Sequence, residues 1–129
     1  MNYNRFDDLM RDMQAKRPSE QHPDGPVFFF NDQPVRLIAG EMEGVHWMDI
    51  HIELTRFRTD TFQAAKKVLI ANREMGGATP IPTWFAMNEK DQLVFINRLD
   101  WRHISTNILE EHILRCIDQM AMALQSEGV

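Results

Sequence analysis

Five histidines and a single cysteine are the side chains of this 129-residue sequence best suited to metal binding or nucleophilic catalysis. Zinc needs several ligands at set spacing, and neither an HExxH nor a CxxC pattern occurs. His46 and His51 fall in one strand-like stretch, an odd number of residues apart. Alternation sends them to opposite faces, so a regular strand cannot bring them to one ion. His112 and Cys116 are four apart in a helical stretch and could meet. Cys116, however, lies on the apolar stripe of that helix, where a thiol behaves as a small, inert hydrophobe. Paired carboxylates offer no better site. Glu110-Glu111 opens a helix, where acidic groups suit the dipole, and Glu41 and Glu43 sit in a glycine-bounded turn. Ser19, Ser105 and Ser126 lack a GxSxG elbow. Gly40, Gly44, Gly76 and Gly77 form neither GxGxxG nor a P-loop. No catalysis, no metal and no cofactor are expected.

Composition narrows the partners. With 19 acidic against 14 basic residues, the net charge of −5 argues against nucleic acid and anionic membrane. One cysteine excludes an internal disulfide, and a reducing, cytoplasmic setting is the simplest reading. No apolar run approaches the roughly 18 residues of a membrane span. Met1 to Arg11 lacks the basic-then-apolar layout of a signal peptide. The length suits one domain, residues 1–129, with a sizeable core.

The elements that would position these side chains can be read from periodicity. Phe6, Leu9, Met10 and Met13 form one apolar stripe in a helix over Asn4 to Arg17. Arg17 to Pro26 reads as a proline-rich loop. Val27 to Phe30, Val35 to Ala39 and His46 to Leu54 read as strands. In the last of these, Met48, Ile50, Ile52 and Leu54 share one face, as in a half-buried antiparallel strand. Asp60 with Gln63 predicts a capping box, and Gly76-Gly77 predicts the end of that helix. Thr83 to Met87 and Gln92 to Leu99 predict a hairpin. Leu93 to Ile96 are apolar in succession, so that strand should be covered on both faces. Ser105 to Gln125 predicts the longest helix, capped by Asn107 and Glu110, with Leu109, Ile113, Cys116, Ile117, Met120 and Leu124 buried. The order α-β-β-β-α-β-β-α predicts an α+β fold, a twisted antiparallel sheet packed with three helices.

Adjacent aromatics in Phe28-Phe29-Phe30 and Trp84-Phe85 must point to both faces of their strands. Together with the stripe of the first helix, they give more apolar faces than three helices can cover. Such a surplus points to a protein partner or a dimer.

One series of residues resembles a known family. It runs through Val68-Leu69-Ile70-Ala71-Asn72, Gly76-Gly77-Ala78-Thr79, Trp84-Phe85-Ala86-Met87-Asn88 and Leu93 to Leu99. It ends in Ile108-Leu109-Glu110 with Ile113-Leu114. These resemble the Tir-chaperone (CesT-like) family, the class I chaperones of bacterial type III secretion. Similarity at the residue level is confined to about Val68 to Leu114. Where the family often carries a Leu-Gly pair after the first helix, this sequence has the proline-rich Arg17 to Pro26.

The resemblance implies a cytoplasmic bacterial chaperone with a role in virulence. It would bind the N-terminal chaperone-binding region of a secreted effector in extended form and keep it soluble and secretion-competent. It implies a homodimer, without nucleic acid or membrane insertion. Carried over by position, effector binding would fall to Phe6, Leu9, Met10, Met13, Phe28, Phe30, Val35 and Leu37. The dimer interface would use Phe62, Ala65, Val68, Leu69 and Trp84. The alternative is a small α+β regulatory, partner-exchange module that binds another protein of a secretion or transcription switch. Among the nine methionines, Met10 and Met13 would give the client surface its adaptability.

Overall fold

The computed structural model of the chain describes residues 3–23, 25–40, 42, 44–54, 66, 68–73, 82–87 and 92–126. Helix α1 spans Phe6–Lys16. Four strands follow: β1 (Ser19–His22), β2 (Gly25–Phe30), β3 (Gln33–Ala39) and β4 (Trp47–Leu54). Residues 66 and 68–73 are helical and belong to α2. Strands β5 (Thr83–Met87) and β6 (Leu93–Asp100) and helix α3 (Thr106–Ser126) are the remaining elements among the described residues. The strands form one six-stranded antiparallel sheet in the order β1-β2-β3-β4-β6-β5.

This is the α+β architecture that periodicity predicts, with one strand more. Ser19–His22 pairs with β2 although its stretch reads as a loop. Four polar residues beside prolines carry no alternation signal, and the strand exists because β2 offers it a ladder. The β2–β3 hairpin turns on Asn31 and Asp32, with φ of 52° and 65°. Two-residue hairpin loops need positive φ, which Asn and Asp tolerate better than other side chains.

Alternation divides the sheet cleanly. Phe28, Phe30, Val35, Leu37, Met48, Ile50, Ile52, Phe85, Leu93 and Phe95 belong to the main core on the helix side. Leu9, Met10 and Met13 of α1 pack there, with Leu109, Ile113, Cys116 and Met120 of α3. Leu93, Val94, Phe95 and Ile96 are all buried, so β6 is covered on both faces as its unbroken apolar run predicts. Phe29 and Trp84 point to the opposite face and are half-buried.

The ends of α1 are tied to the rest of the chain. Before the helix, the Tyr3 amide donates to Arg102 O at 2.7 Å, and the Tyr3 hydroxyl donates to Asp12 Oδ2 at 2.7 Å. After it, Lys16 Nζ and Arg17 Nη2 meet the two carboxylate oxygens of Glu110 at 2.7 and 2.8 Å. Glu110 is thus a cross-link between α1 and α3, and those cations hold its carboxyl below the usual range. The cap of α3 is Ser105, whose Oγ accepts from the Ile108 amide at 3.2 Å, in place of the Asn107–Glu110 pair that spacing suggests. The expected Asp60–Gln63 box and the Gly76-Gly77 terminus lie outside the described residues.

Gly40 has a steric role. A Cβ there would stand 2.6 Å from Val45 Cγ1 and 2.7 Å from two ring carbons of Trp47. Gly40→Ala should push Trp47 away from its present seat and cost about 1–3 kcal/mol. Urea unfolding monitored by tryptophan fluorescence reads both effects.

Candidate functional site

A groove of about 470 Å³ lies between α1 and the β2–β3 hairpin. Phe6, Asp7, Met10, Arg11 and Gln14 form its helical wall. Gly25, Pro26, Leu37, Ile38 and Ala39 form the sheet side. The groove exists because α1 lies over the sheet while β2 narrows to Gly25-Pro26 at its start, leaving little side-chain volume opposite the helix. Phe6 is held from behind by Trp101, edge to face with ring centroids 5.9 Å apart. The charges at the rim are already neutralised on α1: Arg5 pairs with Asp7 at 3.5 Å and Arg11 with Asp8 at 3.4 Å. What is left for a ligand is an apolar trough with a polar lip, suited to apolar side chains.

Of the residues expected to bind an effector, the groove gathers Phe6, Met10 and Leu37. The rest are placed differently. Leu9, Met13, Phe28, Phe30 and Val35 are each at 0% exposure, closed inside the chain's own core. The burial has a simple cause: the helical stripe faces α3 and the sheet, so only its edge remains open. Alternation could have indicated Pro26 and Ala39 as groove positions, since they share a face with Leu37. Of the residues expected at a dimer interface, Val68 packs against the core, Leu69 is exposed and Trp84 is half-buried on the opposite sheet face. Phe62 and Ala65 lie outside the described residues.

The two edges of the sheet differ. On β5 the side chain of Asn72 in α2 takes a strand's place. Its Nδ2 donates to Phe85 O at 3.0 Å, and its Oδ1 accepts from the Phe85 amide. This closes the edge against further pairing. On β1 no described residue pairs with the outer edge.

The polar groups with potential chemistry serve structure. His112 Nε2 lies 2.8 Å from Asn97 Oδ1, and Asn97 Nδ2 donates to Thr83 Oγ1 at 2.8 Å. The amide oxygen only accepts, so His112 carries its proton on Nε2. The chain His112–Asn97–Thr83 fastens α3 to β6 and β5. Cys116 is buried, and burial pushes its thiol up to about 12. His46 rests against Trp101, with ring centroids 5.7 Å apart. On the far sheet face Arg98 grips the buried Asp49 through two hydrogen bonds, at 2.8 and 3.0 Å. Its guanidinium lies 4.0 Å from the Trp47 ring centroid. Among the described residues, no three or more His, Cys, Asp or Glu side chains converge as metal ligands would. None of the described helices is long and apolar enough to cross a membrane.

Burial lowers the pKa of His112 and of His51 below the ordinary 6.5. The unfolded chain therefore takes up these protons first. Their share of stability is complete above about pH 6.5 and is lost as pH falls towards the folded values. The slope is at most about 1.4 kcal/mol per pH unit for each histidine. A melting series from pH 7.5 to 5.0 should show the decline, and His112→Gln should flatten it.

No family model matches this sequence. No curated protein matches it either. Solved structures do match in fold. A chain of the HopA1-SchA chaperone-effector complex superposes with a TM-score of 0.64 at 10% identity, covering 93% of each chain. YbjN from E. coli, described as a candidate transcription regulator, superposes with a TM-score of 0.64 at 8% identity, covering 99% of this chain and 95% of its own. The α+β fold found here is therefore one shared with a component of a chaperone-effector complex and with YbjN.

Proposed function

We propose that this protein is a type III secretion chaperone that binds the N-terminal chaperone-binding region of a secreted effector in extended form. One observation carries the reading: an apolar groove, formed by Phe6, Met10, Pro26, Leu37 and Ala39, opens between α1 and β2–β3 near the β1–β2 margin of the sheet. An extended chain paired at that margin satisfies its backbone while alternate side chains enter the groove. The fold shared with a chaperone-effector complex supports the same reading. A net charge of −5 would keep a chain with an exposed apolar trough soluble. The protein acts as a homodimer in the bacterial cytoplasm, with exposed Leu69 and half-buried Trp84 available to the second copy. No cofactor takes part.

The test is co-expression with N-terminal fragments of the secreted proteins encoded beside it. A chaperone co-purifies with one fragment and shields it from protease. A monomer that shields none contradicts the proposal. The likeness to YbjN favours a second reading, a regulatory module that exchanges partners. Co-purification with a transcription regulator in place of a secreted protein would select it.

A further inference from the structure

Strand β2 is apolar, GPVFFF, yet the strand that covers its edge is the polar SEQH of β1. Glu20, Gln21 and His22 are exposed, so β1 has almost no stake in the core. Its hold on the sheet is the ladder to β2, with Ser19 opposite Phe28, Glu20 opposite Val27 and Gln21 opposite Pro26. The two-residue loop makes Phe30 and Gln33 a hydrogen-bonded pair, and alternation then turns the backbone groups of Gly25, Val27 and Phe29 towards β1. Continued by one residue, the register sets Pro18 opposite Phe29, and proline has no N–H to give. Arg17 Nη1 donates to Phe29 O instead, at 3.1 Å. That arginine is anchored on Glu110 and lies 3.9 Å from the Phe30 ring centroid. At the other end, β2 starts at Gly25, whose φ of 120° is closed to L side chains. Residues 18–23 are thus a short polar strap between two fixed points, with a proline at each end.

The strap also stands at the groove. Gln21 is opposite Pro26, on the same face, and Pro26 lines the groove. A polar residue therefore occupies the register position from which a strand on β2 would deliver an apolar side chain beneath α1.

We propose that β1 is a placeholder strand. When a client binds, β1 leaves β2 and an extended client segment of alternating apolar and polar residues takes its register. An apolar client side chain at the position of Gln21 then fills the α1–β2–β3 groove. The exchange replaces backbone hydrogen bonds one for one, so apolar burial in the groove drives it. This inference rests on the groove being the client site.

A disulfide staple tests it. Gln21 and Pro26 form a non-hydrogen-bonded pair, the closer kind in an antiparallel ladder and the one compatible with a disulfide. Buried Cys116 is the sole native cysteine and stays out of the oxidation. The probe is the N-terminal effector fragment captured by co-expression. The oxidised Gln21→Cys/Pro26→Cys variant should bind it at least tenfold more weakly than the same variant reduced. Gln21→Leu, which leaves Pro26 intact, should let β1 fill the groove itself and weaken binding threefold or more. Equal binding by oxidised and reduced forms, or by Gln21→Leu and the wild type, overturns the exchange.

If the wild type captures no fragment, the chaperone reading fails. The placeholder is then judged by hydrogen exchange on the free protein. Amides of Glu20 and His22, the two of β1 turned towards β2, exchanging at least 100-fold faster than those of β3 support it. Equal protection of the two strands refutes it.

Discussion

Met13→Asp should unfold the protein, while Ala39→Glu should leave it folded and weaken client binding at least tenfold. Met13 is on the stripe of α1 that a sequence reading assigns to the client. In the structure it is at 0% exposure, packed among the core residues of the sheet and α3. Removing a buried methionine side chain costs about 2–5 kcal/mol. Burying an unpaired carboxylate adds several more, or forces its protonation. The total is comparable to the whole stability of a domain, about 5–15 kcal/mol. Ala39 faces the groove and is half-buried, so a glutamate there can reach solvent. Circular dichroism with urea separates the two variants. A folded Met13→Asp protein would put that stripe outside the core.

Asn97→Ala should cost about 2–4 kcal/mol. Asn97 is 2% exposed and is the shared partner of His112 and Thr83. Its loss strands two polar groups between α3 and the sheet, at about 1–3 kcal/mol for each buried group left unpaired. His112→Ala alone should cost less, and the double variant less than the sum, because the orphan of the first change is removed by the second. Urea unfolding at pH 7.5 measures the whole cycle. Additive effects would mean that the observed chain of hydrogen bonds contributes no coupling.

The parts of the fold that periodicity reveals are those whose partner is the main core. Met48, Ile50, Ile52 and Leu54 alternate because one face of β4 is dry, and the four apolar residues of β6 are covered on both sides. A stripe, however, reports that something covers it, not what. Leu9 and Met13 serve the chain's own core, whereas Phe6 and Met10 border the groove, and the 3.6-residue period cannot separate the two pairs. β1 leaves no pattern because its residues bury little. Asn72, Asn97 and Glu110 act across elements, on Phe85, on His112 and Thr83, and on Lys16 and Arg17. Local spacing assigns Glu110 to a helix cap and offers no sign of the other two. The groove depends on how α1 sits above Gly25-Pro26, a tertiary relation that no local motif encodes.

The central claim is that an extended secreted segment binds in the groove between α1 and β2–β3. Isothermal titration of the co-expressed effector's N-terminal fragment against wild-type and Ala39→Glu protein tests it most directly. Affinity should fall at least tenfold, about 1.4 kcal/mol, with melting temperature and oligomeric state unchanged. Equal affinity for the two proteins would contradict the account.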